Sequence, residues 1–120
     1  MVDKLVAGLT SRSSLTGVQV ETIALRKRVM AGQLKLVEAA RLRGGGPVRV
    51  GSFYRVLDQA RSNVERSIFS VLLAVRLGLL KPDELTRLFS LVSQPAEVDW
   101  ETASQVMGVL NPLIRRLVML

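Results

Sequence analysis

The sequence predicts an all-α protein, a compact bundle of four to five helices around one long central helix at about residues 53–77. Apolar residues recur every three or four positions over most of the chain, which is the period of an α-helix. No stretch alternates apolar and polar residues over a useful length, and Val48-Arg49-Val50 is too short to found a sheet. Helix-start signals precede several of the apolar ladders, which supports the helical interpretation.

The first 44 residues predict a short helix and a long one. Residues 1–16 are expected to form a flexible segment or a short helix followed by a loop. Residues 18–43 predict one long helix with Thr16 as N-cap, although Gly32 would alternatively divide it into two. Its end is expected at Gly44. The predicted apolar face consists of Ile23, Met30, Leu34, Val37 and Leu42, widened by Leu25, Val29 and Leu36.

A run of three glycines and Pro47 separates this region from the long helix. The run indicates either a flexible surface loop or a place where the backbone closely approaches a ligand. Ser52 is the predicted N-cap of the long helix. A rival interpretation breaks the helix at Ser62, where the spacing of a capping box occurs. We favour one helix because an apolar ladder runs on without Pro or Gly until Gly78. The ladder is Phe53, Leu57, Ala60, Val64, Ile68, Val71 and Val75.

Residues 68–80 are apolar almost all round, which predicts a central core element or an oligomer seam. Leu72 is expected to be buried there. Pro82 predicts the next helix start, because proline suits the first helical position. The expected buried face of that helix is Leu85, Leu88, Phe89 and Val92, and its expected end is Ser93-Gln94-Pro95.

The last helix is expected to begin at Asp99 and to run through Val109, with Trp100 docking its start. Asn111-Pro112 either kinks this helix or starts another. The apolar C-terminal residues are expected to pack within the monomer or across a dimer.

Composition excludes several classes of function. The chain has no cysteine and no histidine, so it lacks disulfides, thiolate sites and the usual general base. We therefore predict no enzyme activity, no metal site and no cofactor. No apolar run is long enough to span a bilayer, and the N-terminus lacks a secretory signal pattern. These features predict a cytoplasmic protein without membrane association, and the arginine bias fits a thermophile source.

The 120 residues predict a single domain, but one with more apolar surface than a small monomer hides. Its apolar fraction is 48% and its mean hydropathy +0.30, high values for a chain of net charge +7. We expect a homodimer, another homo-oligomer or a protein partner that binds through an apolar packing half at residues 67–120.

Positive charge is concentrated in a basic half at residues 18–66. Within it, residues 26–66 hold ten bases and three acids, a net charge of +7, whereas residues 81–120 carry −1. Thirteen of the seventeen bases are arginine, which suits bidentate contacts to phosphate and guanine. This asymmetry predicts a surface that faces a polyanion, such as duplex DNA. An arginine-rich genome or a thermophile surface is the alternative explanation.

Residues 36–61 contain a helix ending in AARLR, a turn, and a second helix beginning GSFYRVLDQAR. This segment resembles the helix-turn-helix of small winged-helix-type DNA-binding regulators, in which an xYRxLxxA recognition helix recurs. The resemblance implies a transcription regulator whose second helix lies in the major groove. The sequence departs from the pattern in its eight-residue connection, where about three or four residues are usual, and in lacking a hairpin for a wing.

If Phe53, Leu57 and Ala60 face the core, several polar residues of the second helix are left for nucleic acid. The predicted nucleic-acid-binding residues are Ser52, Tyr54, Arg55, Gln59 and Arg61, flanked by Arg41, Arg43 and Arg49. The alternative is structural: Tyr54 packs half-buried, and Arg55 with Asp58 and Arg61 with Glu65 form ordinary helix ion pairs. A rival function is an accessory subunit that docks on a larger nucleic-acid-processing protein through residues 67–120.

Overall fold

The computed structural model describes residues 3–44, 46–93 and 98–118. All regular structure in these residues is helical, as predicted, but there are six helices instead of four to five. They are α1 (Lys4–Arg12), α2 (Gly17–Met30), α3 (Leu36–Leu42), α4 (Val50–Arg76), α5 (Pro82–Val92) and α6 (Trp100–Leu117). In the described ranges no helix has both the length and the apolar character needed to cross a bilayer.

The described residues fall into two compact units. The first unit holds residues 10–65, and the second holds residues 3–9 and 66–118. Each unit has a hydrophobic cluster of its own.

Helix α2 begins with the predicted cap and ends earlier than predicted. The Thr16 hydroxyl accepts from the Gln19 N–H at 3.1 Å, and the Gln19 side-chain oxygen accepts from the Thr16 N–H at 3.1 Å. This capping box satisfies two backbone donors. After α2, Gly32 has φ +76, a conformation that favours glycine. One helix over residues 18–43 is therefore wrong, and the alternative division at Gly32 is what the structure contains.

The connection from α3 to α4 begins at the predicted helix end. Arg43 is the extended C-cap residue of α3, so Gly44 is the C′ residue, and the positive φ of +110 falls at Gly46. The Val48 N–H donates to the Ala40 carbonyl at 3.1 Å, and Val48 packs against the core. These contacts fix the end of the connection onto α3. Gly45 lies outside the described residues.

The core of the first unit is built by α2, α3 and the start of α4. Its buried members are Leu25, Ala39, Ala40 and Phe53, and the partly buried residues packed on them are Val29, Leu34, Leu36 and Val48. The predicted face is wrong for Met30, Val37 and Leu42, which are all more than half exposed. Val37 and Leu42 leave the predicted face because the helix breaks at Gly32, so the helical phase of α2 does not continue into α3.

Helix α4 is one helix of 27 residues, about 40 Å long, without a break at Ser62. It begins at Val50, because the Arg49 carbonyl already accepts from the Phe53 N–H at 3.0 Å. Ser52 is thus inside the first turn, and its prediction as N-cap is wrong. The buried residues of α4 are Phe53, Leu57 and Ala60, as the ladder predicts.

The second half of α4 is not a core element. The prediction that Leu72 is buried is wrong, since its side chain is 58% exposed, and Phe69 is 70% exposed. Ile68, Leu73 and Leu77 are also more than half exposed. The pattern of apolar residues all round the helix cannot show which side a neighbour covers. The other interpretation, an oligomer seam, stays a prediction.

The second unit has a small core that joins α1 to α6. Leu5, Val98 and Ala103 are buried there, with Leu9, Val106 and Met107 packed on them. One Asp3 carboxylate oxygen accepts from the Val6 N–H at 2.7 Å, and the other accepts from the Val98 N–H at 3.3 Å. Asp3 therefore both caps the start of α1 and holds the segment before α6.

Helix α5 starts at Pro82 as predicted, with two acids in its first turn. Leu85, Leu88 and Val92 are half-buried, whereas Phe89 is 58% exposed, against the prediction. Ser93 is the C-cap residue. Gln94 and Pro95 of the predicted helix end lie outside the described residues.

Helix α6 begins after Asp99, whose carboxylate accepts from the Thr102 N–H at 2.7 Å, as the predicted cap requires. Trp100 is 71% exposed, so it does not dock the helix start. The helix continues through Pro112 to Leu117, whose side chain is buried. Pro112 cannot donate to the Gly108 carbonyl, and Gly108 has open space beside it. Met119 and Leu120 lie outside the described residues.

We predict that Phe53→Ala destabilises the protein by about 3–5 kcal/mol, because the ring is fully buried. Phe89→Ala, the same truncation at an exposed position, should change the free energy of unfolding by less than about 0.5 kcal/mol. Denaturant unfolding followed by circular dichroism measures both. Equal losses would show that the core of the first unit is assigned incorrectly.

We also predict a pH-dependent contribution from the cap of α6. The backbone N–H of Thr102, followed by its hydroxyl, lowers the pKa of Asp99 below the ordinary value of 3.8. The stabilisation is therefore present above that value and is lost as pH falls through the lower folded pKa. Asp99→Asn keeps a capping oxygen that does not titrate. The stability difference between wild type and variant should shrink on acidification, and a difference that stays constant would contradict the assignment.

Candidate nucleic-acid interface

Arg26 lies over the ring of Tyr54, and each of the two residues directly follows a buried core residue in the chain. Leu25 and Phe53 have no exposed surface, and Arg26 and Tyr54 follow them in the chain. The Arg26 guanidinium carbon lies 5.9 Å from the centroid of the Tyr54 ring. This distance is within the range of a cation–π interaction. The Phe53 ring meets the Tyr54 ring edge-on, with centroids 6.5 Å apart and an interplanar angle of 82°.

Tyr54 packs against neighbouring side chains and also keeps an exposed surface. It contacts Phe53 and Arg26, yet its surface is 38% exposed. A tyrosine ring held in this way keeps a fixed orientation without being sealed from solvent. It is therefore available to a stacking base or to a phosphate.

A side-chain hydrogen bond is a second contact between α2 and α4, and it shows how the two helices run relative to each other within the first unit. The Asn63 side-chain amide donates to the Gln19 side-chain oxygen at 3.1 Å. Gln19 lies near the start of α2 and Arg26 near its end, while Tyr54 precedes Asn63 along α4. The two helix segments are therefore antiparallel, with Gln19 opposite Asn63 and Arg26 opposite Tyr54.

The predicted site residues on α4 lie on two separate faces of the helix. Intervals of three and four residues place Ser52, Arg55 and Gln59 on one face of the helix. Arg55 and Gln59 are exposed and Ser52 is half-buried. Tyr54 and Arg61, seven residues apart, share a second face, about 140° round the helix from the first.

The observed ion pair is not one of the two that the sequence suggests. Arg61 lies 3.7 Å from Asp58, and the side chains are 65% and 70% exposed. Such a solvent-exposed pair contributes little and exchanges readily for another anion. Arg55 forms no salt bridge with any residue in the described part of the chain.

The three flanking arginines differ in their accessibility. Arg41, in the last turn of α3, and Arg49, just before α4, are exposed. Arg43 is half-buried, and its Nε is shielded from solvent without a hydrogen-bond partner among the described residues. Arg41 and Arg49 are thus open to a phosphate backbone, whereas Arg43 is partly covered by the protein.

The glycine run approaches the protein's own carboxylate. The Gly44 N–H donates to the Glu21 carboxylate. A Cβ at Gly44 would lie 2.7 and 2.9 Å from the two carboxylate oxygens. The Gly44 backbone thus closely approaches a side chain of α2, and both interpretations of the glycine run stay predictions.

The predicted site residues carry groups that can bind nucleic acid. The contacts that hold α2, α4 and the glycine run together are made by residues that the sequence does not predict as part of the site. Arg26, Gln19, Glu21 and Asn63 were missed because no periodicity pairs residues that are 23 to 44 positions apart. In the described ranges no three His, Cys, Asp or Glu residues are placed to hold a metal ion. No known protein family, curated protein or solved structure matches the chain.

We predict that Gly44→Ala costs about 1 kcal/mol, because the new methyl displaces the Glu21 carboxylate from the Gly44 N–H. The same substitution in a Glu21→Ala background should cost much less. Gly51→Ala is the control, since open space surrounds Gly51 within α4 and alanine favours a helix. Denaturant unfolding of the double-mutant cycle measures the coupling. Equal cost in both backgrounds would exclude this role for Glu21.

Proposed function

We propose that this protein binds nucleic acid, with duplex DNA as the favoured partner, and acts as a transcription regulator. The observation that carries the proposal is the exposed face of α4, on which Arg55 and Gln59 lie one turn apart without a competing carboxylate on Arg55. The interface would use the first unit, where the positive charge of the chain is concentrated.

Each part of the surface has a chemical role in this proposal. Arg41 and Arg49 neutralise phosphates and release counterions, which supplies affinity on any sequence. Arg55 can donate two hydrogen bonds to guanine, and Gln59 can bond to adenine, which supplies discrimination. Ser52, Arg43 and Arg61 add backbone contacts, and Tyr54 adds an oriented ring with Arg26 beside it.

The helix-turn-helix resemblance gives this proposal a docking geometry. It makes α3 the first helix and α4 the recognition helix, with the N-terminal turns of α4 at the base edges. Helix α3 has only seven residues, and the longer connection after it is tied to α3 and α2 by Val48 and Gly44. The proposal therefore rests on the side chains of α4 more than on the outline of the motif.

The second candidate function is an accessory subunit that docks on a larger protein. It is favoured by the apolar surface of the second unit. The large side chains there that are more than half exposed are Ile68, Phe69, Leu72, Leu73, Leu77, Phe89, Trp100 and Val109. An adaptor of this kind would bind duplex weakly or not at all by itself, whereas a DNA-binding protein would bind it alone.

We expect the purified protein to bind labelled random-sequence duplex, with an affinity that falls steeply between about 50 and 200 mM salt. Arg49→Ala should weaken binding on all duplexes alike and reduce the salt slope by about 1. Arg55→Ala and Gln59→Ala should instead reduce the preference for a selected duplex, by about 1–3 kcal/mol at the contacted base. Fluorescence anisotropy measures these affinities, with duplex selection from a random pool identifying the preferred site.

Arg87→Ala is the matched control, because it removes the same charge from an exposed position on α5. It should leave affinity and salt slope nearly unchanged. Absence of binding to duplex DNA at low salt would reject the proposal. Equal effects of Arg87→Ala and Arg49→Ala would show that binding depends on net charge and not on this surface.

A further inference from the structure

The second half of α4 carries a charged and apolar stripe: Glu65, Ile68, Phe69, Leu72, Leu73 and Arg76. Successive intervals of three, one, three, one and three residues place these six side chains along one face of the helix. The four apolar members are each more than half exposed. A face of large aliphatic and aromatic side chains with a charge at each end is typical of a helix that packs against a partner.

The stripe is symmetric about the midpoint between residues 70 and 71. Glu65 and Arg76 are equidistant from that point, as are Ile68 and Leu73, and as are Phe69 and Leu72. When two identical helices meet antiparallel about a two-fold axis at that midpoint, each residue lies opposite its symmetric counterpart. Phe69 then faces the partner's Leu72, and Glu65 faces the partner's Arg76 at both ends.

We propose that the stripe is an isologous seam with a second copy of this chain, in which the α4 helices pair antiparallel. Charge selects this arrangement over a parallel one. The antiparallel pairing gives two Glu65–Arg76 ion pairs, whereas a parallel pairing in register opposes Glu65 with Glu65 and Arg76 with Arg76. Neither residue forms a salt bridge with another described residue, so both are available.

The area of the stripe predicts a reversible dimer. Four large side chains, each more than half exposed, offer on the order of 400 Å² of apolar surface per copy. The pair would bury roughly 800 Å² in total, below the about 1,200–2,000 Å² of stable interfaces. The dimer should therefore dissociate on dilution. The seam does not depend on the proposed function, because none of its six residues is a proposed nucleic-acid contact.

Charge reversal tests the seam through its symmetry. Glu65→Arg and Arg76→Glu should each weaken self-association about tenfold or more, because both end pairs become repulsive. The double variant Glu65→Arg/Arg76→Glu should restore it. An equimolar mixture of the two single variants should also associate, since both of its end pairs are attractive. Sedimentation equilibrium on the full chain at low salt, over a range of protein concentrations, measures these constants.

Arg87→Glu is the matched control, a charge reversal at an exposed position on α5, and should leave the dimer intact. Leu72→Asp should abolish it, because the new carboxylate would face the partner's Phe69. Circular dichroism should show unchanged helix content, since Leu72 is exposed in the monomer.

A wild-type protein that stays monomeric at every concentration would overturn the proposal and favour another protein as the occupant. The proposal would also be overturned if the protein dimerised but Glu65→Arg, Arg76→Glu and Leu72→Asp all left the dimer unchanged. The interface would then lie on another surface. Because the readout is mass and not DNA affinity, the seam and the proposed function can fail independently.

Discussion

The first unit depends on the burial of Phe53 in one cluster with Leu25, Ala39 and Ala40. This cluster joins three helices. Phe53 is its largest side chain, and the described residues of the unit contain no other fully buried aromatic side chain. Burial of Phe53 fixes the rotation of α4, so Arg55 and Gln59 must lie on its exposed side. Burial of Leu25 fixes α2 in the same way and directs Arg26 to the Tyr54 ring. The polar surface is thus a consequence of apolar packing.

The parts of the fold that sequence predicts correctly are those governed by neighbouring residues. Thr16 and Asp99 cap their helices because their side-chain oxygens reach backbone N–H groups three residues away. Pro82 starts α5 for an equally local reason. The predictions that fail are those of which helix faces another part of the protein covers. The apolar ladder of α4 continues past Ala60 without a break, yet its second half is exposed, because a ladder records a helix period and not the presence of a covering neighbour.

The candidate interface shows the same division. The exposure of Arg55 and Gln59 follows from the phase of the buried ladder, so sequence alone predicts it. The Gln19–Asn63 bond and the Glu21–Gly44 bond do not follow, since they join residues 44 and 23 positions apart. Arg61 pairs with Asp58 instead of Glu65 because both spacings bring opposite charges together on a helix, and side-chain rotamers decide between them.

The placement of the aromatic residues has a practical consequence for spectroscopy. Tyr54 is the only tyrosine of the chain and Trp100 the only tryptophan. One lies in the first unit and the other in the second. Because phenol and indole differ in absorption and emission, an unlabelled molecule carries one intrinsic optical reporter per unit. We expect the tyrosine signal to change when the Arg26 guanidinium leaves the ring, and the indole signal to change with the first turn of α6, so one titration can follow both units separately.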